Sequence, residues 1–379
     1  MKFIHLSDLH IGKRVNEYSM LEDQEYILNQ IINITDNEKP ESVIIAGDIY
    51  DKTVPSAEAV ALFDDFLVKL SERGIYVFVI SGNHDSPERI AFGGRLMEAK
   101  RIYMSPVYNG EINPVTLEDE FGKINIWMLP FVKPVHIRKF NEADEINSYT
   151  DAIRVAINNL NTDANERNVM ITHQFVTGAE RTESEEISVG GTDNVDVSVF
   201  DIFDYTALGH IHRPQNCGSE RVRYSGTPLK YSFSEAKDKK SVTVVELKKK
   251  GQLSVKTVPL KPLRDMVEIK GKYEEIMLRD FYKYTTWQED YVHITLTNEE
   301  DIPDAIGKLR SVYHNLMKLD YDNLRTRNTN AVDGAENVEK KTPYELFSEF
   351  YEKQNNKPMS EIQAEFMKKL IAEVWEVEI

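Results

Sequence analysis

Five short fragments recur in order along this chain of 379 residues: Asp8-Leu9-His10, Gly47-Asp48-Ile49-Tyr50-Asp51, Gly82-Asn83-His84-Asp85, Thr172-His173 and Gly209-His210-Ile211-His212. They hold carboxylates, one amide oxygen and five of the nine histidines. Hard oxygen donors mixed with imidazoles suit Mn²⁺, Fe or Zn²⁺ better than Ca²⁺. A pair of such ions hydrolyses phosphoesters when they lie about 3.5–4 Å apart, so one ligand must bridge them. Asp48 is the expected bridge. Asp8, His10 and His212 are expected on one ion, and Asn83, His173 and His210 on the other. His84 is left over beside Asn83, where an imidazole can protonate the leaving oxygen, and Asp51 is expected to fix its tautomer. The attacking group is expected to be a water or hydroxide activated by the metals, so no protein nucleophile is needed.

Taken singly, these residues have plainer readings. Ser7, Asp8 and Asp85 suit caps or turns, Gly82-Asn83 is a good turn pair, and His5 sits inside an apolar run where a structural histidine is the simpler account. Taken together, the plain readings require five independent coincidences, which favours the metal pair.

The elements that must position these residues are legible as short apolar runs: Lys2 to Leu6, Ser42 to Ala46, Ile75 to Ser81, Ile124 to Leu129, Asn168 to Thr172 and Tyr205 to Leu208. Amphipathic stretches at Tyr18 to Ile34, Ala57 to Arg73 and Thr150 to Leu160 lie between several of them, a βαβ alternation that predicts a largely parallel, helix-covered layer. Asp8, Asp48, Asn83, His173 and His210 each fall just past a strand's C-terminal end, the edge where open α/β sheets collect ligands. Arg221 to Ser225 and Ser241 to Leu247 read as later, antiparallel strands.

From Leu263 to Asn328 the pattern becomes a small α+β unit, with strands at Met266 to Ile269, Tyr291 to Thr297 and Met317 to Tyr321 and helices at Tyr273 to Leu278 and Ile302 to Val312. Its His293 and His314 have no ligand-like company. Thr329 to Lys341 reads as a linker. Thr342-Pro343-Tyr344-Glu345 and Ser360-Glu361-Ile362-Gln363 are capping boxes that start two short helices. Their apolar residues, Leu346, Phe347, Phe350 and Tyr351, then Ile362, Phe366, Met367, Leu370, Ile371, Val374 and Trp375, form stripes that predict docking on a partner.

The bulk numbers set limits. The net charge of −17 argues against an overall basic nucleic-acid surface but leaves a DNA substrate open, because bound metals invert the local sign. No run of about 18 apolar residues and no leader-like start is present, so the expectation is a cytoplasmic protein without a membrane span. Cys217 is the one cysteine and reads as an inert thiol.

The chain resembles the calcineurin-like metallophosphoesterases, whose pattern is DxH, GDxxD, GNH[DE], a later H and GHxH. Within that group HLSDLHIGK (5–13), GDIYDKTVPS (47–56), GNHDSPERI (82–90), GAERTESEEISVGG (178–191), YTALGHIHRPQ (205–215) and YSGTPLKYSFSE (224–235) are similar to the SbcD, or Mre-type, nuclease subunits. The resemblance implies an α/β/β/α four-layer sandwich at 1–262, a DNA-capping domain at 263–328, a linker at 329–341 and an SbcC-binding helical segment at 342–379. It further implies two divalent ions, Mn²⁺ above all with Mg²⁺, Fe²⁺ or Zn²⁺ as substitutes, exonuclease action on double-stranded DNA and endonuclease action on hairpins. A homodimer within a heterotetramer with an SbcC-like, SMC-type ATPase belongs to the same picture, as do roles in DNA repair, recombination and replication. Asp51 stands where archaeal members carry histidine. Arg89, Lys230 and Lys248 to Lys250 are candidate phosphate contacts.

Two other readings remain. A phosphatase or small phosphodiesterase needs the metal site but neither the 263–328 unit nor the tail helices. A non-catalytic scaffold predicts eroded ligands, and none of the seven is replaced.

Overall fold

Lys2–Leu6 and Ser42–Ala46 run parallel, pairing His5 with Ile44, and begin a six-stranded sheet. Its order is Leu253–Pro259, Ser241–Leu247, Lys2–Leu6, Ser42–Ala46, Tyr76–Ile80, Ile102–Met104, with four parallel strands and two antiparallel ones at one edge. A second six-stranded sheet has the order Gln215–Cys217, Ser219–Tyr224, Tyr205–Gly209, Arg167–His173, Gly122–Leu129, Val115–Asp119. These features belong to a computed structural model, which describes residues 1–141, 145–185, 193–329, 342–355 and 357–375.

Strand pleating sends alternate side chains to opposite faces, and both faces of both sheets are covered. Phe3, Ile44, Phe78 and Ile80 of the first sheet meet Ile126, Val169, Ile171, Tyr205 and Ala207 of the second in one buried cluster. Met170, Leu208 and Tyr224 pack instead with Ile153 and Ile157 of the Tyr149–Asn158 helix. Helices Leu21–Glu38 and Ala57–Glu72 bury Ile27, Ile31, Phe63 and Leu70. This is the α/β/β/α sandwich expected. Burial at about 25 cal/mol per Å² of apolar surface is its main driving force.

One hydrogen-bonded strap crosses the central layer. His5 Nδ1 lies 2.9 Å from the Tyr205 hydroxyl, and His5 Nε2 lies 3.1 Å from the Leu208 carbonyl, which can only accept. The neutral ring with its hydrogen on Nε2 satisfies both contacts, so His5 is structural.

Several expectations change. Ser219–Tyr224 runs parallel to Tyr205–Gly209 and antiparallel only to Gln215–Cys217, because the chain passes the edge and returns through a hairpin at Gly218, whose φ is +72°. The helix expected at Tyr273 to Leu278 forms but is shorter, a helical turn at Tyr273–Ile276, where Asn298 Oδ1 accepts from Tyr273 N–H at 2.8 Å. The predicted start at Tyr18 splits into a short ribbon, Arg14–Val15 with Tyr18–Ser19, ahead of the helix.

Contacts divide the chain into Met1–Met266 and Val267–Ile379. Leu263 to Asp265 fall in the first unit, where Arg264 pairs with Asp23 at 2.8 Å and Asp265 with Lys230 at 2.8 Å. In the second unit a three-stranded sheet, Met266–Gly271, Tyr291–Leu296 and Asn315–Tyr321, packs Ile294, Leu296 and Leu316 against Leu309 and Tyr313. His293 Nε2 pairs with Asp320 there at 2.8 Å. The unit's tail helices, Pro343–Asn355 and Glu361–Trp375, contact each other. Both capping boxes form, with Thr342 N–H on Glu345 Oε2 at 2.7 Å and Ser360 N–H on Gln363 Oε1 at 3.0 Å. The expected linker, apart from Thr329, lies outside the described residues. No described helix is long and apolar enough to cross a membrane.

Candidate metal centre

Every expected ligand sits at the C-terminal end of a parallel strand. Asp8 and His10 follow Lys2–Leu6, Asp48 follows Ser42–Ala46 and Asn83 follows Tyr76–Ile80; His173 ends Arg167–His173, while His210 and His212 follow Tyr205–Gly209. The first three strands belong to one sheet and the last two to the other, so the site forms where two sheet edges meet. Asp8, His10, Asp48 and His210 turn there with φ of 52°, 45°, 49° and 105°. Such left-handed backbone is strained for non-glycine residues and persists only where surroundings hold it.

Two glycines make this approach possible. A Cβ on Gly82 would lie 2.1 Å from Asp48 Oδ1, and one on Gly209 would lie 1.8 Å from the Ala46 carbonyl oxygen and 2.6 Å from His173 Nδ1. Asp85 adds a clamp between two ligand loops. Its carboxylate accepts from the N–H groups of Ile49 at 3.1 Å, Tyr50 at 3.0 Å and Gly82 at 2.9 Å.

The side chains converge in two groups. Ligand atoms of Asp8, His10 and His212 lie within 4.8 Å of one another, and the Nε2 atoms of His10 and His212 are 3.1 Å apart. Asn83 Oδ1 lies 3.0 Å from His173 Nε2 and 2.9 Å from His210 Nδ1. Between the groups stands Asp48, its Oδ2 lying 3.3 Å from His173 Nε2 and 3.7 Å from His10 Nε2. Its Oδ1 accepts the His84 N–H at 2.9 Å. His173 Nδ1 donates to the Ala46 carbonyl at 2.9 Å, which aims Nε2 inward. His10 Nδ1 is buried and has no hydrogen-bond partner.

Electrostatics follow from this packing. Burial works against charge on His173, but the Asp48 and Asp8 carboxylates outweigh it, and its pKa is pushed up to about 9. Burial lifts Asp8 to about 7 against the pull of His173, with Asp48 adding to the rise. Asp48 is equally buried, yet His173, His10 and His84 hold its carboxyl well below the usual range. Burial, with His173 adding to it, lowers His210 to about 3. Burial keeps His10, His210 and His212 neutral, and a divalent cation would take the place of the proton that Asp48 and Asp8 draw onto His173; this donor set suits Mn²⁺, Fe²⁺ or Zn²⁺.

His84 packs edge-on against His10, with ring centroids 4.8 Å apart, and also offers a nitrogen near Asp48. Its Nδ1 lies 3.1 Å from the main-chain oxygen of Asp51. That corrects the expected pairing: the Asp51 carboxylate turns away to Lys13 Nζ at 2.8 Å, because a cation is the better partner for a half-buried anion.

Sequence reasoning missed the supports behind the ligands. Gln24 Nε2 donates to the His10 carbonyl at 2.7 Å and to the Tyr231 hydroxyl at 2.9 Å, and Tyr231 donates to the Leu9 carbonyl at 2.6 Å. Ser184, Glu185, Glu235 and Lys240 surround His212. Most of these residues lie in the 178–191 and 224–235 segments, whose chemistry no short motif announces. Lys230, a candidate phosphate contact, is spent on Asp265. Lys250 is paired with Asp204 at 3.0 Å, whereas Arg89 is exposed. Beside Asn83 and His210 opens a cavity of about 170 Å³, walled by Phe131, Phe175 and Tyr149 with Lys133.

Residues 1–214 match the family described as calcineurin-like phosphoesterase, and residues 262–355 match the SbcD_C family, described as type 5 capsule protein repressor C-terminal domain. The SbcD subunit of the SbcCD nuclease from Staphylococcus epidermidis is 31% identical over 382 residues, covering 98% of each chain. Among solved structures, a dimetal phosphatase from Danio rerio is 12% identical over 69% of this chain and 98% of its own, with a TM-score of 0.39. A protein from Thermus thermophilus is likewise 12% identical, over 68% and 98%, with a TM-score of 0.39. The phosphoesterase match spans every ligand fragment, and the nuclease match runs almost end to end: the chain belongs to the calcineurin-like phosphoesterases, within the SbcD-type nuclease subunits.

Proposed function

We propose that this metal-dependent phosphodiester hydrolase cuts double-stranded DNA, as an exonuclease from ends and an endonuclease at hairpins, with two divalent ions, Mn²⁺ by preference. The observation that carries this reading is the position of Asp48, one carboxylate oxygen of which lies within 3.7 Å of a histidine from each ligand group. Asp8, His10 and His212 would hold one ion, Asn83, His173 and His210 the other, with Asp48 shared. Bound there, the ions would polarise the phosphate and supply an activated water.

The chain's own residues do the rest. The Asp51 carbonyl can only accept, so His84 Nδ1 carries a hydrogen and Nε2 is the atom that exchanges a proton. As the attacking water's oxygen bonds to phosphorus and the P–O bond breaks, the doubly protonated His84 ring would give its Nε2 proton to the leaving oxygen, and the proton shed by the water would restore the ring. Asp51 acts through its main chain in this scheme.

The same reading gives the chain its partners. The tail helices expose Phe350, Ile362, Phe366 and Leu370, an apolar surface that suits the coiled coil of an SbcC-like, SMC-type ATPase. Residues 263–328 would cap the DNA, 342–379 would bind the ATPase, and two copies would pair through the nuclease domain, in the cytoplasm, for DNA repair, recombination and replication.

The test is incubation of wild type and His84→Gln with end-labelled duplex and hairpin DNA in Mn²⁺. Wild type is expected to shorten the duplex and open the hairpin, and the variant to lose about 10²–10⁴-fold in rate. Intact DNA alongside turnover of small phosphodiesters would favour the phosphodiesterase reading instead.

A further inference from the structure

His212 is gripped from behind by side chains that the proposed chemistry does not use. Ser184 Oγ lies 2.6 Å from His212 Nδ1, 2.6 Å from Glu235 Oε1 and 2.8 Å from Thr182 Oγ1. A hydroxyl has one hydrogen to give and two lone pairs to offer. The Glu235 carboxylate takes the hydrogen, so the lone pairs receive His212 Nδ1–H and the Thr182 hydroxyl. The ring is thereby set with its hydrogen on Nδ1 and its Nε2 lone pair facing His10.

The far end of this relay is anchored just as firmly. Glu235 is fully buried and paired with Lys240, which also donates to the His212 carbonyl at 2.8 Å and to Thr227 Oγ1 at 2.7 Å. Glu185, next to Ser184, accepts from the His212 N–H at 2.6 Å. Ring and main chain of His212 are thus both tied to residues 184–185. His173, in the other ligand group, is oriented by a main-chain carbonyl alone.

We propose that Ser184 and Glu235 are positioning residues that set the tautomer and basicity of His212, so that the Asp8–His10–His212 half-site depends on them for its ion while the Asn83–His173–His210 half-site does not. The inference rests on the two-ion reading above. Partners that orient a ligating histidine are worth about 10–100-fold in metal affinity.

The experiment titrates Mn²⁺ alone into metal-stripped full-length wild type, Ser184→Ala, Ser184→Thr and Glu235→Gln by calorimetry, with circular dichroism melts alongside. Wild type is expected to take two ions. Ser184→Ala is expected to weaken one of them by about 10–100-fold and leave the other unchanged, Ser184→Thr to recover most of the loss, and Glu235→Gln to repeat it if folded. Two unchanged ions in Ser184→Ala overturn the relay, as does an equal loss of both or a failure of threonine to rescue. Fewer than two ions in the wild type overturn the two-ion reading itself, and the relay with it.

Discussion

Asp51 meets His84 through its main-chain oxygen, 3.1 Å from Nδ1, while its carboxylate lies 2.8 Å from Lys13 Nζ. The side chain and the backbone of one residue thus serve different neighbours. Replacing the carboxylate should spare the His84 tautomer. Asp51→Asn is expected to keep DNA cleavage within about tenfold of wild type, against the 10²–10⁴-fold loss of His84→Gln. Equal losses in single-turnover rates would return the carboxylate to the chemistry.

Gly209 and Gly82 let two loops touch where no Cβ fits. Gly209→Ala must push apart the Ala46 carbonyl and the His173 ring, both backed by sheet. It is expected to cost roughly 2–4 kcal/mol in urea unfolding and to abolish Mn²⁺ uptake at the His173 group. Wild-type stability in the variant contradicts the packing described.

Metal affinity should rise with pH. His173, at about 9, and Asp8, at about 7, hold protons near neutrality when no cation is bound. A cation must displace them, so uptake releases protons and weakens as pH falls from 9 to 6. Calorimetry in buffers of different ionisation enthalpy reads the release directly. Once bound at 100 times its Kd, an ion adds about 2.7 kcal/mol of stability that chelation removes.

His5 supplies a second pH dependence, of folding itself. Burial, with Arg223 adding to it, lowers its pKa to about 3. The unfolded ring titrates near 6.5, so between those values the unfolded state binds more protons. The contribution is complete above about pH 6.5 and declines toward pH 3 by up to about 1.4 kcal/mol per unit. His5→Gln keeps a donor for Leu208 and is expected to flatten that decline. Parallel stability curves for wild type and variant, measured in chelator at pH 7, 6 and 5, would rule the effect out.

The tail's apolar stripe predicts a separable function. Phe350→Asp with Phe366→Asp, both exposed positions, is expected to abolish co-purification with an SbcC-like ATPase and to leave Mn²⁺-dependent cleavage by the protein alone unchanged. Undiminished pull-down would remove the helices from the interface.

Much of this was legible in the chain itself. Alternating apolar runs located the parallel strands, because a strand buried on both faces leaves a continuous signal. Ligand fragments stood out because glycine, carboxylate and imidazole rarely gather at strand ends. The pairing of Ser219–Tyr224 depended on which neighbour the chain chose after Gly218, and no local pattern records that choice.

Residue types and order, alone, determined that seven ligands and one spare histidine exist, since metal chemistry is selective for donor atoms. Only the tertiary structure decided their grouping. Two sheet edges had to meet before Asp48 could stand between His10 and His173, and the turn at 182–185 had to fold over before Ser184 could reach His212. Such contacts join residues up to about two hundred positions apart, and distances that long are set by packing rather than by spacing.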